Sequence, residues 1–397
     1  MARRKVGIWL IGCKGGVATT VTVGLTALRK GLTDTIGLVS ERPQFSGLDF
    51  FGWNDVVLGG HDIREESLYA AAQLLVKDRA LDAALVEKLK GELDKIDKQS
   101  RPGTIVNVGA TIEKFATAEL RKQKDSPQAA IERVQADLVD FKKRNGLDQV
   151  IVLNLASTEP PLEESALPPT WKELAKLLDK PKKCPLPASS IYGIAAIEAG
   201  MPYVNFTPSV GSALPAIQDL ALERGVPHMG HDGKTGETLM KSALAPIFAA
   251  RNLQVLSWVG HNIFGNMDGK VLDDPENKRT KVRSKDRLLH QILGYSPQTL
   301  VSIEYIESLG DWKTAWDHIH FKGFLGTPMA LQFTWQGCDS LLAAPLVIDL
   351  ARFTDLAARR GEKGLMKFLA CFFKSPIGVS EHDFVRQLQM LEAWAAK

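Results

Sequence analysis

The chain of 397 residues is long enough for two domains, and its 45% hydrophobic and 24% charged content is typical of a globular protein. A net charge of +3 is close to balance, so composition gives no support for general binding to nucleic acid or to a membrane surface. The four cysteines have neither CxxC nor metal-ligand spacing, which predicts reduced thiols in a cytoplasmic protein.

The first elements of the chain predict the opening of a βαβ unit. The segment "KVGIWLIGCKGGVATTVTVGLTALRKGL" contains a short apolar run, a glycine turn and an amphipathic helical pattern. The apolar run is too short for a secretory signal, so we expect it to be a buried strand. The segment "TIGLVSE", residues 35–41, is expected to form the second strand.

The middle of the chain predicts alternating helices and strands. Residues 64–100 have helical spacing, and "SPQAAIERVQADLVDFKKRN" predicts a further helix before the apolar strand "DQVIVLNLAS". Residues 158–189 are proline-rich and predict a long connection, after which "YGIAAIEAGMPYVNFTPS" predicts a helix, a short strand and a polar loop. This alternation predicts an α/β domain.

The second half of the sequence has a different residue pattern from the first. Residues 230–335 contain polar loops and β-prone stretches such as "LQVLSWVGHNIFG" and "HIHFKGFLG", which predict a distinct insert. The segment "DSLLAAPLVIDLARFTDLAARRGEKG" then returns to apolar helix, and we expect the final helices to pack on the first domain.

The glycine turn "GCKGGVATT", residues 12–20, has three interpretations. Glycines between a strand and a helix let backbone N–H groups approach a dinucleotide phosphate, although the spacing here is not GxGxxG. A nucleotide-triphosphate loop is disfavoured because Ala18 stands where its lysine is required. A tight turn without a ligand is the third interpretation, and the acidic partner of an adenosine ribose stays open between Glu41 and Asp62.

Lysines dominate the polar part of the second half. "ENKRTKVRSKDR" has six basic residues, and Lys281 and Lys285 are four apart, so a helix would place them on one face. A solvated basic face is the ordinary explanation of such a run. Ammonium groups that converge on one cavity would instead bind phosphate and stabilise oxyanions, and burial would lower the pKa of some of them. "GHDGKTGETLMKSALAP", residues 230–246, is either a polar helix entrance or a phosphate cradle.

Ordered motifs make the chain similar to a known family. "GGHDI", "VLNLASTEP", "VNFTPS", "GHDGKTGETLMKS", "GHNIFGNMDG", "KRTKVRSKD", "GDWKTAWDH", "DSLLAAPLVIDL" and "FFKSP" follow one another as in myo-inositol-1-phosphate synthases, and the glycine turn matches loosely. The resemblance covers most of the chain and is weakest over residues 64–140 and 159–185.

The resemblance implies a Rossmann-type NAD-binding domain, residues 1–228 plus 337–397, with an inserted α+β catalytic and tetramerisation domain, residues 229–336, in a cytoplasmic homotetramer. It implies conversion of glucose 6-phosphate to 1L-myo-inositol 1-phosphate with no net redox change. The steps are oxidation at C5, removal of a C6 proton, aldol closure onto C1 and return of the hydride. The C5 ketone acidifies C6, which explains a redox cofactor in an isomerisation.

Site residues follow from the resemblance, residue by residue. The implied catalytic residues are Lys281, Lys285, Lys313, Lys374 and Asp268, with Lys281 and Lys374 assigned to proton transfer and oxyanion stabilisation and the other lysines to substrate oxygens. The implied cofactor-binding residues are Gly12, Gly15, Gly16, Val17, Asp62, Ala156, Ser157, Thr158, Thr207, Asp232, Asn266, Asp311, Asp339 and Ser340. The implied phosphate-binding residues are Thr235, Gly236, Glu237 and Thr238. A divalent cation, a monovalent cation and no cation all stay open.

Two positions depart from the family pattern. Glu237 replaces an uncharged amide and would repel a phosphate unless its side chain turns away, and His231 replaces an aspartate that many members carry. A related cyclase or dehydrogenase acting on another sugar phosphate, and an NAD-binding protein without turnover, are the alternatives; the full set of lysines disfavours the second.

Overall fold

The computed structural model describes residues 4–163, 167–266 and 288–397. Its strands, in chain order, are β1 (Val6–Ile11), β2 (Val56–Asp62), β3 (Ser100–Pro102), β4 (Gln149–Asn154), β5 (Tyr203–Asn205), β6 (Pro227–Gly230), β7 (Gln254–Phe264), β8 (Gln298–Tyr305), β9 (Trp312–Lys322), β10 (Pro328–Cys338) and β11 (Gly364–Leu365). Its labelled α-helices are α1 (Gly16–Arg29), α2 (Leu68–Lys77), α3 (Ala83–Asp97), α4 (Ala110–Glu113), α5 (Ala118–Lys122), α6 (Pro127–Asn145), α7 (Trp171–Leu174), α8 (Ala188–Glu198), α9 (Pro215–Arg224), α10 (Gly236–Ala250), α11 (Asp339–Arg359) and α12 (Phe384–Ala395). Residues 288–293 are also helical.

Seven strands form one parallel sheet in the order β11-β6-β5-β4-β1-β2-β3. From β1 the chain moves outward through β2 and β3, then crosses back to β4 and continues in the other direction. The carboxyl ends of β1 and β4 therefore flank a topological switch point, where parallel α/β sheets bind ligands. The predicted α/β class and its Rossmann-type sheet are confirmed.

Both faces of this sheet are covered, as the continuous apolar run of β1 requires. Ile8 and Leu10 join a core that includes residues of α1 and α11, whereas Trp9 and Ile11 join a second core with α6 and α8. Successive strand residues point to opposite faces, which explains this division. The C-terminal part of the chain returns to the sheet through α11 and through β11, which pairs with β6.

The predicted second strand at residues 35–41 is wrong. Val39–Glu41 is a 3-10 turn, and the strand beside β1 is β2, further along the chain. The backbone N–H groups of Val39 and Ser40 donate to the buried Asp349 carboxylate of α11 at 2.7 and 2.9 Å. These distant hydrogen bonds replace the sheet pairing that local β-propensity favours.

The other four strands form a separate mixed sheet in the order β10-β9-β7-β8, between α10 and α11 in the chain. β7 and β8 are parallel, and the remaining pairs are antiparallel. Trp258, Ile319 and Phe248 of α10 form its buried core. Within the described ranges, no helix combines the length and the apolar character needed to cross a membrane.

Candidate functional site

The glycine turn lies at the carboxyl end of β1 and leads directly into α1. Gly12 has a φ of 76°, and a Cβ there would come within 2.9 Å of the Ala156 Cα, so this left-handed position requires glycine. The N-cap residue of α1, Gly15, is extended and makes no side-chain cap to the helix. The turn therefore presents a close-approach backbone and a helix N-terminus, which together suit a phosphate group.

Asp62 ends β2 beside this turn. Its carboxylate accepts hydrogen bonds from the Lys14 backbone N–H at 2.7 Å and from the Arg64 side chain at 3.1 Å. Glu41, the other candidate for a ribose contact, forms an ion pair with Arg352 of α11 instead. The strand correction thus leaves Asp62 as the acidic residue at the end of the second strand.

A cluster around Asp311 lies against the start of α1. Asp311 accepts hydrogen bonds from the Ser340 side chain at 3.0 Å and from the Asn266 amide at 3.2 Å, and burial raises its pKa. A Cβ on Gly16 would come within 2.5 Å of Ser340 Oγ, so the glycine turn and this cluster are in contact. Lys313 lies 3.8 Å from Asp339 in the same region.

A second cluster occupies the carboxyl ends of β4, β5 and β6. Asn154 donates to Asn205 at 3.0 Å and contacts the Thr207 hydroxyl at 3.4 Å. Asp232 donates its backbone N–H to the Thr207 carbonyl at 2.8 Å, and its carboxylate accepts from Lys374 Nζ at 2.9 Å. Since Asn154 Oδ1 also accepts from the Ala156 backbone N–H, the cluster continues to the glycine turn.

The Glu237 side chain, in the first turn of α10, points away from the N-terminus of this helix. This side chain is 1% exposed and points inward, where its carboxylate lies 2.6 Å from Lys241 Nζ. Thr235 is the N-cap residue and Gly236 has a φ of 54°, so the first turn begins with a left-handed glycine. Glu237 therefore turns away from the helix N-terminus, and an anion there does not face its charge.

Two buried asparagines of this region were not singled out in the sequence, and Lys234 was noted there only for its spacing to Lys241. Asn154 and Asn205 end apolar strands, and a buried amide in that position is the signal that could have found them. Lys234 is 2% exposed, and its Nζ donates to Gln387 of α12. Burial lowers the pKa of Lys234 to about 8, so the predicted lowering of a lysine pKa falls on a residue without an assigned role.

We expect Lys234 to make folding stability pH-dependent. Its pKa is about 8 in the native state and about 10.5 when unperturbed. The unfolded chain therefore binds more protons between these values, and stability rises with pH across this window. Relative to Lys234→Met, the wild type should gain up to about 3 kcal/mol from pH 8 to 10.5. Urea unfolding of both proteins at several pH values measures this, with exposed Lys363→Met as the control. If the free energy of unfolding changes with pH in the same way in wild type and Lys234→Met, the prediction is contradicted.

The remaining predicted residues are placed as follows. Val17 lies in the first turn of α1 and packs on the core, while Ser157 and Thr158 lie in the loop after β4. Lys281, Lys285 and Asp268 lie outside the described residues. Within the described part of the chain, no cluster of three or more histidine, cysteine, aspartate or glutamate side chains is arranged to hold a metal ion.

The comparisons with known proteins cover nearly the whole chain. The sequence model of the NAD-binding family described as myo-inositol-1-phosphate synthase matches residues 6–396. An inositol-3-phosphate synthase of Bacteroides thetaiotaomicron is 33% identical over 97% of this chain and 92% of its own length. One from Oryza sativa is 28% identical over 89% of this chain and 75% of its own length.

A solved structure agrees with these sequences. The crystal structure of inositol-3-phosphate synthase from Caenorhabditis elegans superposes with a TM-score of 0.89 at 25% identity, covering 99% of this chain and 85% of that one. A family model that spans the chain, and a relative above 30% identity at nearly full length, agree with the ordered motifs. The chain belongs to the myo-inositol-1-phosphate synthase family.

Proposed function

We propose that the chain is an inositol-3-phosphate synthase, an NAD-dependent enzyme that cyclises D-glucose 6-phosphate to 1L-myo-inositol 1-phosphate (also numbered as the 3-phosphate). One observation carries the proposal beyond family membership. The glycine turn contacts both polar clusters, through Ala156 on one side and Ser340 on the other. Such contacts would bring a nucleotide-binding turn and the candidate lysines to one site.

The residues present fit NAD. Glycine is needed at positions 12 and 16, because a Cβ there would collide with Ala156 or Ser340, and it keeps side chains off the backbone of the turn. Asp62 ends the strand where an acidic residue contacts the adenosine ribose. Bound NAD supplies reversible hydride transfer. Ser340 and Asp311 would hold the cofactor side of the site, together with Asn266 and Asp339.

Lys374 and Lys313 are the described candidates for acting on the substrate. Each stands beside a carboxylate, Asp232 at 2.9 Å and Asp339 at 3.8 Å, which fixes an ammonium group in place. We assign Lys374, with Lys281, to proton transfer and to stabilising the enolate and aldol oxyanions. Lys313, with Lys285, is assigned to substrate oxygens. A positive charge positioned before the oxyanion forms costs little reorganisation, which is why it speeds the reaction.

The substrate phosphate is assigned to the N-terminus of α10. The backbone N–H groups and hydroxyls of Thr235 to Thr238 would bind it with help from the helix dipole. The inward ion pair of Glu237 with Lys241 supports this assignment, because it removes the one carboxylate of the first turn from the anion.

The larger organisation is also part of the proposal. We retain the division into residues 1–228 plus 337–397 and residues 229–336, a homotetrameric assembly, and a cytoplasmic location. The position of the mixed sheet between α10 and α11 supports the division. Whether the reaction uses a divalent cation, a monovalent cation or none is a question for experiment.

The test is direct. The purified protein, glucose 6-phosphate and catalytic NAD are followed by phosphorus NMR and by absorbance of NADH. We expect an inositol phosphate signal without accumulation of NADH, since the hydride returns to the product. Accumulating NADH without cyclised product would indicate a dehydrogenase, and turnover only of a different sugar phosphate would replace the substrate.

A further inference from the structure

One row of the mixed sheet carries two polar side chains on the face that packs against α10. Asn262 of β7 pairs with Ala315 of β9, and Ala315 pairs with Trp335 of β10. Directly opposed residues of antiparallel strands point to the same face. The neighbouring row on this face includes Gly260, where a Cβ would lie 2.8 Å from the Glu237 carboxylate and 3.4 Å from Lys241 Nζ. The row of Asn262 and Trp335 therefore faces the beginning of α10.

Both polar groups of this row are buried without a partner. Asn262 is 0% exposed, and neither its amide nitrogen nor its amide oxygen has a hydrogen-bond partner among the described residues. The indole Nε1 of Trp335 is likewise buried and, in the described chain, donates to nothing. An unpaired buried polar group costs about 1–3 kcal/mol, so two on one row need an explanation. In this row the methyl group of Ala315 stands between them.

The indole N–H of Trp335 lies at the entrance of α10. A Cβ built on Gly236 would be 3.4 Å from Trp335 Nε1. Gly236 is the first residue of α10, so this indole nitrogen lies on the N-terminal side of the helix. This is the side on which a bound anion would meet the first backbone N–H groups of the helix.

Taking the proposed function as its basis, we propose that Trp335 is a substrate-positioning residue whose indole N–H donates a hydrogen bond to the phosphate of the sugar phosphate. Tryptophan is a donor only, so it matches an acceptor such as a phosphate oxygen. A neutral donor also adds no positive charge beside the catalytic lysines. The bond holds the phosphate end of the substrate equally in the ground state and in the transition state, so it contributes to substrate binding.

Trp335→Phe tests the role because it keeps an aromatic ring and removes the donor. Loss of a hydrogen bond to a charged group should raise the KM for glucose 6-phosphate about tenfold or more, with kcat and NAD affinity little changed. Trp171→Phe, in α7, is the matched control, since its partly buried indole packs on the core of the parallel sheet. Trp335→His, which retains a ring N–H, should recover part of the loss. An unchanged KM in folded Trp335→Phe overturns the proposal.

Binding of inorganic phosphate separates this inference from the proposed function. If the wild type does not turn over glucose 6-phosphate, the proposed function fails, but calorimetry still compares phosphate binding by wild type and Trp335→Phe. A roughly tenfold weaker affinity in the variant supports the role of Trp335. Equal affinity, or a wild type that binds no phosphate, overturns it. If Trp335→Phe does not fold, the indole ¹⁵N resonances of the eight wild-type tryptophans are followed instead while inorganic phosphate is added. A shift of the Trp335 resonance, assigned through Trp335→His, supports the bond, and the absence of any shift overturns it.

Discussion

Lys374→Ala is expected to reduce turnover of glucose 6-phosphate by at least about 10³-fold while NAD still binds. Lys374 follows a buried segment of the chain, and its backbone N–H donates to the Asp232 carbonyl at 2.6 Å. Its side chain is thereby held at the carboxyl ends of the strands, beside the Asp232 carboxylate. Removing the ammonium group removes both a proton-transfer group and a positive charge for the oxyanions. Phosphorus NMR measures turnover, and calorimetry measures NAD affinity.

Two further variants sharpen the assignment of Lys374. Lys374→Arg keeps the positive charge but does not deprotonate, so it should retain substrate binding and lose proton transfer. Lys363→Ala removes an exposed lysine from the same C-terminal stretch and should leave kcat unchanged. Turnover near the wild-type rate in Lys374→Ala would remove Lys374 from the mechanism.

Lys241→Met is expected to destabilise the fold by about 3–5 kcal/mol. Lys241 Nζ lies 2.6 Å from Glu237 and 3.8 Å from Asp317, and all three side chains are buried. Asp317 also accepts from Trp258 Nε1 at 2.6 Å, so it is fixed in place. Without the lysine, two buried carboxylates would face each other across the start of α10. Urea unfolding at pH 7 measures the loss.

A double-mutant cycle isolates the pair. Glu237→Gln introduces an uncharged amide, and in the Lys241→Met background it should restore part of the lost stability because one unpaired charge is removed. Arg144→Met, which breaks the exposed pair with Asp140 on α6, is the control and should change stability little. If Lys241→Met is as mild as Arg144→Met, the buried pair does not support the first turn of α10.

Much of the fold was predictable because the signals are local. The buried run of β1, the glycine turn and the helix pattern after it lie within one continuous segment, and the structure forms β1 and α1 there. Hydrophobic periodicity decides such elements before any distant contact is made. The ordered motifs likewise identified the family from the sequence.

The failure at residues 35–41 has the opposite cause. Their β-prone composition is overruled by the carboxylate of Asp349 and by Arg352, whose side chain donates to Ser40 at 2.6 Å. These partners lie more than 300 residues further along the chain, so the local sequence pattern cannot predict them.

The sequence by itself determined the α/β class, the opening strand, glycine turn and helix, and, through the family resemblance, the candidate lysines and glycines. Only the tertiary structure decided that Ser340 lies against Gly16, that Glu237 turns inward to Lys241, and that Lys234 is buried beside Gln387. The physical reason is the range of the interactions. Backbone propensity and periodicity act over a few residues, whereas ion pairing, burial and hydrogen bonding of side chains depend on which distant segments the sheet brings together.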